Sequence, residues 1–242
     1  MKFTDTKTYR KDIDGLRAIA VIAVIIFHFG ALPNGYLGVD IFFTISGYLI
    51  TGIIYREISE NRFSITNFYL RRTRRIIPLS LFIISVSLSI AIVVMLPDDM
   101  ENFAQSVIAT NFFSNNILQA ITTKNYWDVV NEFKPLMHTW SVGIEEQYYL
   151  LYPLLFLLVA KQHRRWLLPI LIALTIFSLL LYFSSFKEHE KFYLIPFRFF
   201  ELSLGGIAAI CLQNKLIIHR FSAIFVFGLA FIKYFFLMPD TS

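Results

Sequence analysis

Residues 14–30 read DGLRAIAVIAVIIFHFG, an apolar run with an arginine near one end and a histidine near the other. A helix needs about 20 mostly apolar residues to cross the hydrocarbon core of a bilayer. This run extends to residue 32, and six further stretches of the same kind follow at 38–54, 76–96, 142–160, 166–184, 200–213 and 219–238. The second and sixth are short for a full crossing. The pattern predicts an all-α, polytopic transmembrane bundle of seven helices. The amphipathic stretch 102–120, rich in Asn, Ser and Gln, reads either as an interfacial helix or as an eighth, poor span.

The composition supports this. Of 242 residues, 56% are apolar and 16% charged, against about 25% charged in soluble domains. The 26 Phe and a mean hydropathy of +0.60 exceed what one soluble core can hide. A net charge of +5 could point to nucleic acid, but the basic residues sit in short runs between apolar segments, as juxtamembrane charges do. Nucleic acid is therefore excluded as a partner. A single cysteine, Cys211, rules out a disulfide or zinc knuckle within the chain. No HExxH or other metal-ligand pattern, Walker loop, Rossmann glycine turn or Gly-x-Ser-x-Gly elbow occurs. Lys2, Lys7, Arg10 and Lys11 precede the first run without a small-x-small cleavage site, so that run reads as an uncleaved first helix. No repeat or linker divides residues 1–242, which read as one domain.

Charge bias orients the layout. With the N-terminus in the cytoplasm, 15 of the 22 Lys and Arg fall in the inner segments 1–13, 55–75, 161–165 and 214–220. Five fall in the outer segments 31–37, 97–141 and 185–199, and Arg17 and Lys233 lie within spans. That asymmetry satisfies the positive-inside rule.

Charged side chains within spans are costly, so each needs a reason. Arg17 and His28 are eleven residues apart, which is three helical turns plus about 20°, so they share one face about 16 Å apart. Asp14 lies one turn from Arg17 on nearly the same face. Arginine suits phosphate or carboxylate, and histidine carries protons near neutral pH. In GYLGVDIFFTISGYLITGIIY, residues 35–55, Asp40, Thr44 and Thr51 share a face. Asp40 sits where a helix cap is expected, and the glycines and Ser46 read as packing residues. FYLRRTRRIIP, residues 68–78, brings Arg71, Arg72, Arg74 and Arg75 to the inner surface. They read equally as a topology anchor on anionic lipid or as a phosphate clamp. LMHTWSVGIEEQYYLLYP, residues 136–153, offers Ser141 as N-cap, with Glu145 and Glu146 in the first turns, where the helix dipole favours carboxylates. With His138 alongside, the same carboxylates also suit a polar substrate. In PFRFFELSLGG, residues 196–206, Arg198 and Glu201 are one turn apart and pair as a structural couple.

These five segments, in this order, resemble the acyltransferase-3 family over most of residues 10–210. The resemblance implies transfer of an acyl group, usually acetyl, from cytoplasmic acyl-CoA to a hydroxyl of a surface carbohydrate such as lipopolysaccharide O-antigen or exopolysaccharide. It places the protein in the bacterial inner membrane among lipid, with acyl-CoA as donor substrate and no permanently bound cofactor. It gives the chemistry to His28, supported by Arg17 and Glu146, and the donor to Arg71, Arg72, Arg74 and Arg75. Asp14, Asp40, Glu145, His138, Arg198 and Glu201 serve the substrate or the scaffold. Family members have about ten spans, so this chain corresponds to the N-terminal part of that core. Two rival readings are an inactive truncated scaffold and a glycan or lipid transporter. The acyl group, the acceptor and the oligomeric state are not written in the sequence.

Overall fold

Ser64 starts the longest of the described helices, accepting the Asn67 backbone N–H at its side chain. In the computed structural model, which describes residues 10–123 and 134–214, this helix runs unbroken over thirty residues. The described residues are helical throughout, with no strand among them. The elements are α1 (Lys11–His28), α2 (Leu37–Ser59), α3 (Ile65–Val94), α4 (Pro97–Asn111), α5 (Asn115–Thr122), α6 (Trp140–His163), α7 (Leu167–Tyr182), α8 (Glu188–Tyr193) and α9 (Ile195–Gln213).

Among the described residues, four segments are long and apolar enough to cross a membrane: Leu37–Ser59, Ile65–Val94, Met137–Val159 and Glu188–Gln213. This is a membrane protein, with fewer clear spans among the described residues than the seven or eight the sequence suggests. The reasons differ by element. α1 carries Lys11, Asp12, Asp14 and Arg17 in its first two turns. α7 is apolar but has only 16 residues. The stretch 102–120 does not form one helix: it breaks at Phe113, whose φ is 52°, into α4 and the eight-residue α5. The expected run 219–238 lies outside the described residues. The expected inner segment 55–75 is not a loop either, because α2 continues to Ser59 and α3 starts at Ile65.

The bundle is built around α2 and α9, which run parallel and pack most extensively. Two glycines permit this. A side chain on Gly47 would run into the Leu202 carbonyl, and one on Gly205 into the Thr44 carbonyl. Without Cβ atoms the two backbones touch, the favoured way for helices to associate where no water drives burial. α1 leans on the first half of α2 through Gly35 and Gly38, which face the Ala23 and Ala20 carbonyls. α6 runs parallel to α2 and contributes the aromatic core of Tyr148, Tyr152 and Phe156. Tyr148 and Tyr152 stack at 4.3 Å.

α3 is different. Only 11% of its apolar window is buried inside the protein, and Phe82, Ile90, Ile92, Val93 and Val94 are exposed. Such a face belongs in lipid.

The α4–α5 segment is held over the bundle by amides. Asn116 and Gln147 exchange hydrogen bonds, at 3.3 and 2.8 Å. Gln147 Nε2 also donates to the Phe113 carbonyl at 3.0 Å, and Asn115 Nδ2 donates to the Leu136 carbonyl at 2.8 Å. Gly143 makes room, since a Cβ there would lie 2.7 Å from Asn116 Oδ1.

Candidate active site

The polar residues of the spans divide into two groups on opposite sides of α2. Behind it, Arg198 Nη1 donates to Asp40 Oδ1 and to Glu201 Oε1, both at 2.7 Å. Its Nε donates to the Phe192 carbonyl at 3.1 Å, and the guanidinium lies over the Phe192 and Trp140 rings. All three charged groups are buried. The expected pair Arg198–Glu201 is therefore present, with Asp40 as a third member. Asp40 does not cap α2: the N-cap is Tyr36, and the carboxylate points to α9 instead. This cluster clamps α2 to α9.

In front of α2 lies a cavity of about 390 Å³, walled by α1, α2, α3, α4 and α6. Its carboxylates are Glu145 and Glu146. Ser141 does not cap their helix. A 3₁₀ turn at Met137–Thr139 leads directly into Trp140, and Ser141 lies inside the helix with its hydroxyl on the His138 carbonyl. The two glutamates therefore sit more than a turn inside α6, away from the dipole's reach, and the cavity explains their position. Ser46 Oγ donates to Glu145 Oε1 at 2.6 Å, and Tyr149 OH donates to Glu145 Oε2 at 3.3 Å. Glu146 Oε1 is shielded from solvent and accepts no hydrogen bond from the protein.

The arginines of α3 split. Four cations in five residues cannot share one helical face. Arg72 and Arg75, three apart, turn to the cavity. Arg71 bonds Glu57 of α2 at 3.1 Å, and Arg74 is exposed away from the cavity. The Arg72 guanidinium lies over the Tyr149 ring at 4.7 Å, within electrostatic reach of both glutamates.

α1 adds Arg17 to the same wall, with Asp14 3.8 Å away. His28, the last residue of α1, is exposed at its far end and lies off the cavity wall. It comes within electrostatic range of His138, which does line the cavity. One continuous space therefore has guanidinium groups at one end, two carboxylates in the middle and the His138 imidazole at the other end. Between Val142 and Tyr149 the wall of α6 is about 10 Å long by helical rise, and His138 extends it through the preceding 3₁₀ turn. Two hydroxyls hold Glu145: Ser46, which the sequence reads as a packing residue, and Tyr149, which it reads as one of the aromatics beside the glutamates.

Over residues 10–242 the sequence matches the acyltransferase-3 family, an acyltransferase domain. The chain belongs to that family. Among the curated relatives of this acyltransferase-3 protein is the peptidoglycan O-acetyltransferase OatA of Listeria monocytogenes, 35% identical over 209 residues, or 83% of this chain and 33% of that protein. An uncharacterized protein of Haemophilus influenzae is 38% identical over 188 residues, covering 73% of this chain and 76% of its own length. The O-acetyltransferase OatA of Staphylococcus aureus is 41% identical over 151 residues, covering 60% of this chain and 24% of that protein. The chain thus spans about a third of the length of its Listeria relative. No solved structure matches it.

Proposed function

We propose that this acyltransferase-3 protein transfers an acyl group, acetyl in the first instance, from acyl-CoA to a hydroxyl of a surface carbohydrate. One observation carries the reading: a single cavity joins Arg17, Arg72 and Arg75 to Glu145 and Glu146 and then to His138. Acyl transfer needs cationic groups for the donor, a base for the acceptor hydroxyl and an exit for its proton.

In this reading the donor lies at the arginine end. Arg72, stacked on Tyr149, is preorganised for phosphate or for charge developing at the leaving sulfur. The acceptor hydroxyl enters from the histidine end and gives its proton to the open oxygen of Glu146. His138 at the mouth, with the exposed His28 at the end of α1 beyond it, passes protons to solvent. The arginine end faces the cytoplasm, where acyl-CoA is found, and the N-terminus is cytoplasmic in a multi-pass inner-membrane protein. Two of the relatives are named O-acetyltransferases, and the name of the Listeria one specifies peptidoglycan. A muramyl glycan is therefore the first acceptor to test, ahead of lipopolysaccharide or exopolysaccharide.

The test is acetyl-CoA binding and thiol release by the purified chain in nanodiscs, with and without solubilised peptidoglycan strands. Release that rises with the strands, together with alkali-labile acetyl on the sugar, is the expected result. Failure to bind acetyl-CoA overturns the reading.

A further inference from the structure

The two carboxylates of the cavity are adjacent in sequence and opposite in condition. Both oxygens of Glu145 are engaged by protein hydroxyls, from Ser46 at 2.6 Å and Tyr149 at 3.3 Å. Glu146 keeps a desolvated oxygen with no protein partner. If one base served one direct transfer, the second carboxylate would be redundant and costly to bury. Two half-reactions would use both.

Ser46 supplies what the first half-reaction needs. Its hydroxyl lines the cavity and is aimed at a carboxylate oxygen, the arrangement of a nucleophile and its base. The backbone behind it is fixed, because Gly47 is pressed on the Leu202 carbonyl of α9. Ser46 therefore cannot retreat from the cavity without separating α2 from α9. Arg17 and Arg72 line the same space and lie within electrostatic reach of Glu145.

We propose that Ser46 is an acyl carrier, so that transfer is a double displacement through a serine ester. This rests on the acyl-transfer reading above. In the first step Ser46 Oγ bonds to the thioester carbonyl carbon, its proton moves to Glu145, and the carbon–sulfur bond breaks. CoA leaves as the thiolate, facing the guanidinium groups, and takes a proton from solvent. In the second step the acceptor oxygen bonds to the ester carbon and gives its proton to Glu146. The bond to Ser46 Oγ breaks, and Glu145 returns the proton it held. Glu146 releases its proton through the histidine mouth. Acyl group, electrons and protons balance, and both carboxylates end as they began.

The test uses the full chain in nanodiscs with radiolabelled acetyl-CoA and no acceptor, quenched in acid. The expected result is label retained on denatured protein, alkali-labile as an oxygen ester, on the peptide that carries Ser46. Glu146→Gln should accumulate this label even when acceptor is present. Ser46→Ala should bind acetyl-CoA and stay unlabelled. Ser46→Cys guards against misfolding, since the label should then become a thioester that neutral hydroxylamine removes. Acceptor acetylation by Ser46→Ala at the wild-type rate overturns the serine carrier and leaves the acyl-transfer reading intact. Wild-type protein that fails to bind acetyl-CoA overturns both.

Discussion

Arg198 of α9 and Asp40 of α2, 158 residues apart in sequence, meet at 2.7 Å in the interior of the bundle. Both are almost fully buried, and Glu201 completes the cluster. Removing one partner leaves a desolvated charge, a change that typically costs about 3–5 kcal/mol. Asp40→Ala and Arg198→Met should each lower the melting temperature in detergent sharply, and the double variant should be more stable than the sum of the two losses implies. Strict additivity would show that the pair does not hold the helices.

The close contact of α2 with α9 gives a matched comparison. Gly47→Val inserts a side chain against the Leu202 carbonyl and should destabilise by roughly 1–3 kcal/mol or more. Gly52 lies on the same helix, but the nearest atom to a Cβ there is 3.6 Å away, on Gln213. Gly52→Ala should therefore be tolerated, or stabilise by up to about 1 kcal/mol through helix propensity. Thermal unfolding of both variants in one detergent checks the contrast.

The arginines of α3 should separate by face. Arg72→Gln and Arg75→Gln should each weaken acetyl-CoA binding about tenfold or more, the scale of a lost charge-assisted hydrogen bond. Arg74→Gln should leave affinity unchanged, and Arg71→Gln should cost only its link to Glu57. Equal losses at all four positions would mean that net charge, not the cavity, governs the donor. Arg72→Lys should bind poorly, because lysine cannot reproduce the planar stack on Tyr149.

His28 and Arg17 should fail in different ways. In a correctly inserted protein, His28→Ala should retain acetyl-CoA binding and lose acceptor acetylation. Arg17→Ala should weaken the donor or its productive orientation. The readouts are donor affinity and acetyl transferred per inserted molecule. Full transfer by His28→Ala would remove that histidine from the mechanism.

Orientation can be read with an impermeant thiol reagent in a Cys211→Ser background. A cysteine at Glu60, in the exposed turn between α2 and α3, should be protected in intact cells. One at Asp98, at the start of α4, should label. Labelling at Glu60 would invert the arrangement.

Much of the bundle was legible because crossing a bilayer demands length and apolarity, which are properties of single segments. The common stripe of Arg17 and His28 was legible from periodicity alone. Where α1 crosses α2 was not, and that crossing puts Arg17 on the wall and His28 at the rim. Glu145 was read as a helix-start carboxylate because Ser141 is a good cap, whereas the 3₁₀ turn before Trp140 starts the helix earlier and carries the glutamate deeper. Ser46 was hidden for a different reason: its partner is 99 residues away, and no local pattern marks a serine among small residues as anything but packing. The division of the four arginines needed only the helical wheel, once the segment was known to be helical and not a loop.

The unbroken course of α3 has a mechanical consequence. Thirty residues make a rod about 45 Å long, against a hydrocarbon core of about 30 Å. Arg72 and Arg75 ride on the same helix as the lipid-facing residues up to Val94, joined to them through Pro78, where a missing backbone N–H lets the helix bend without ending it. Their depth is therefore linked to the opposite leaflet: a thicker or thinner bilayer must tilt or slide the helix, or bend it at Pro78. Bilayer thickness thereby becomes a control on how far the cationic cradle stands from the headgroups, and the protein's response to chain length in defined lipid should follow the geometry of a ruler.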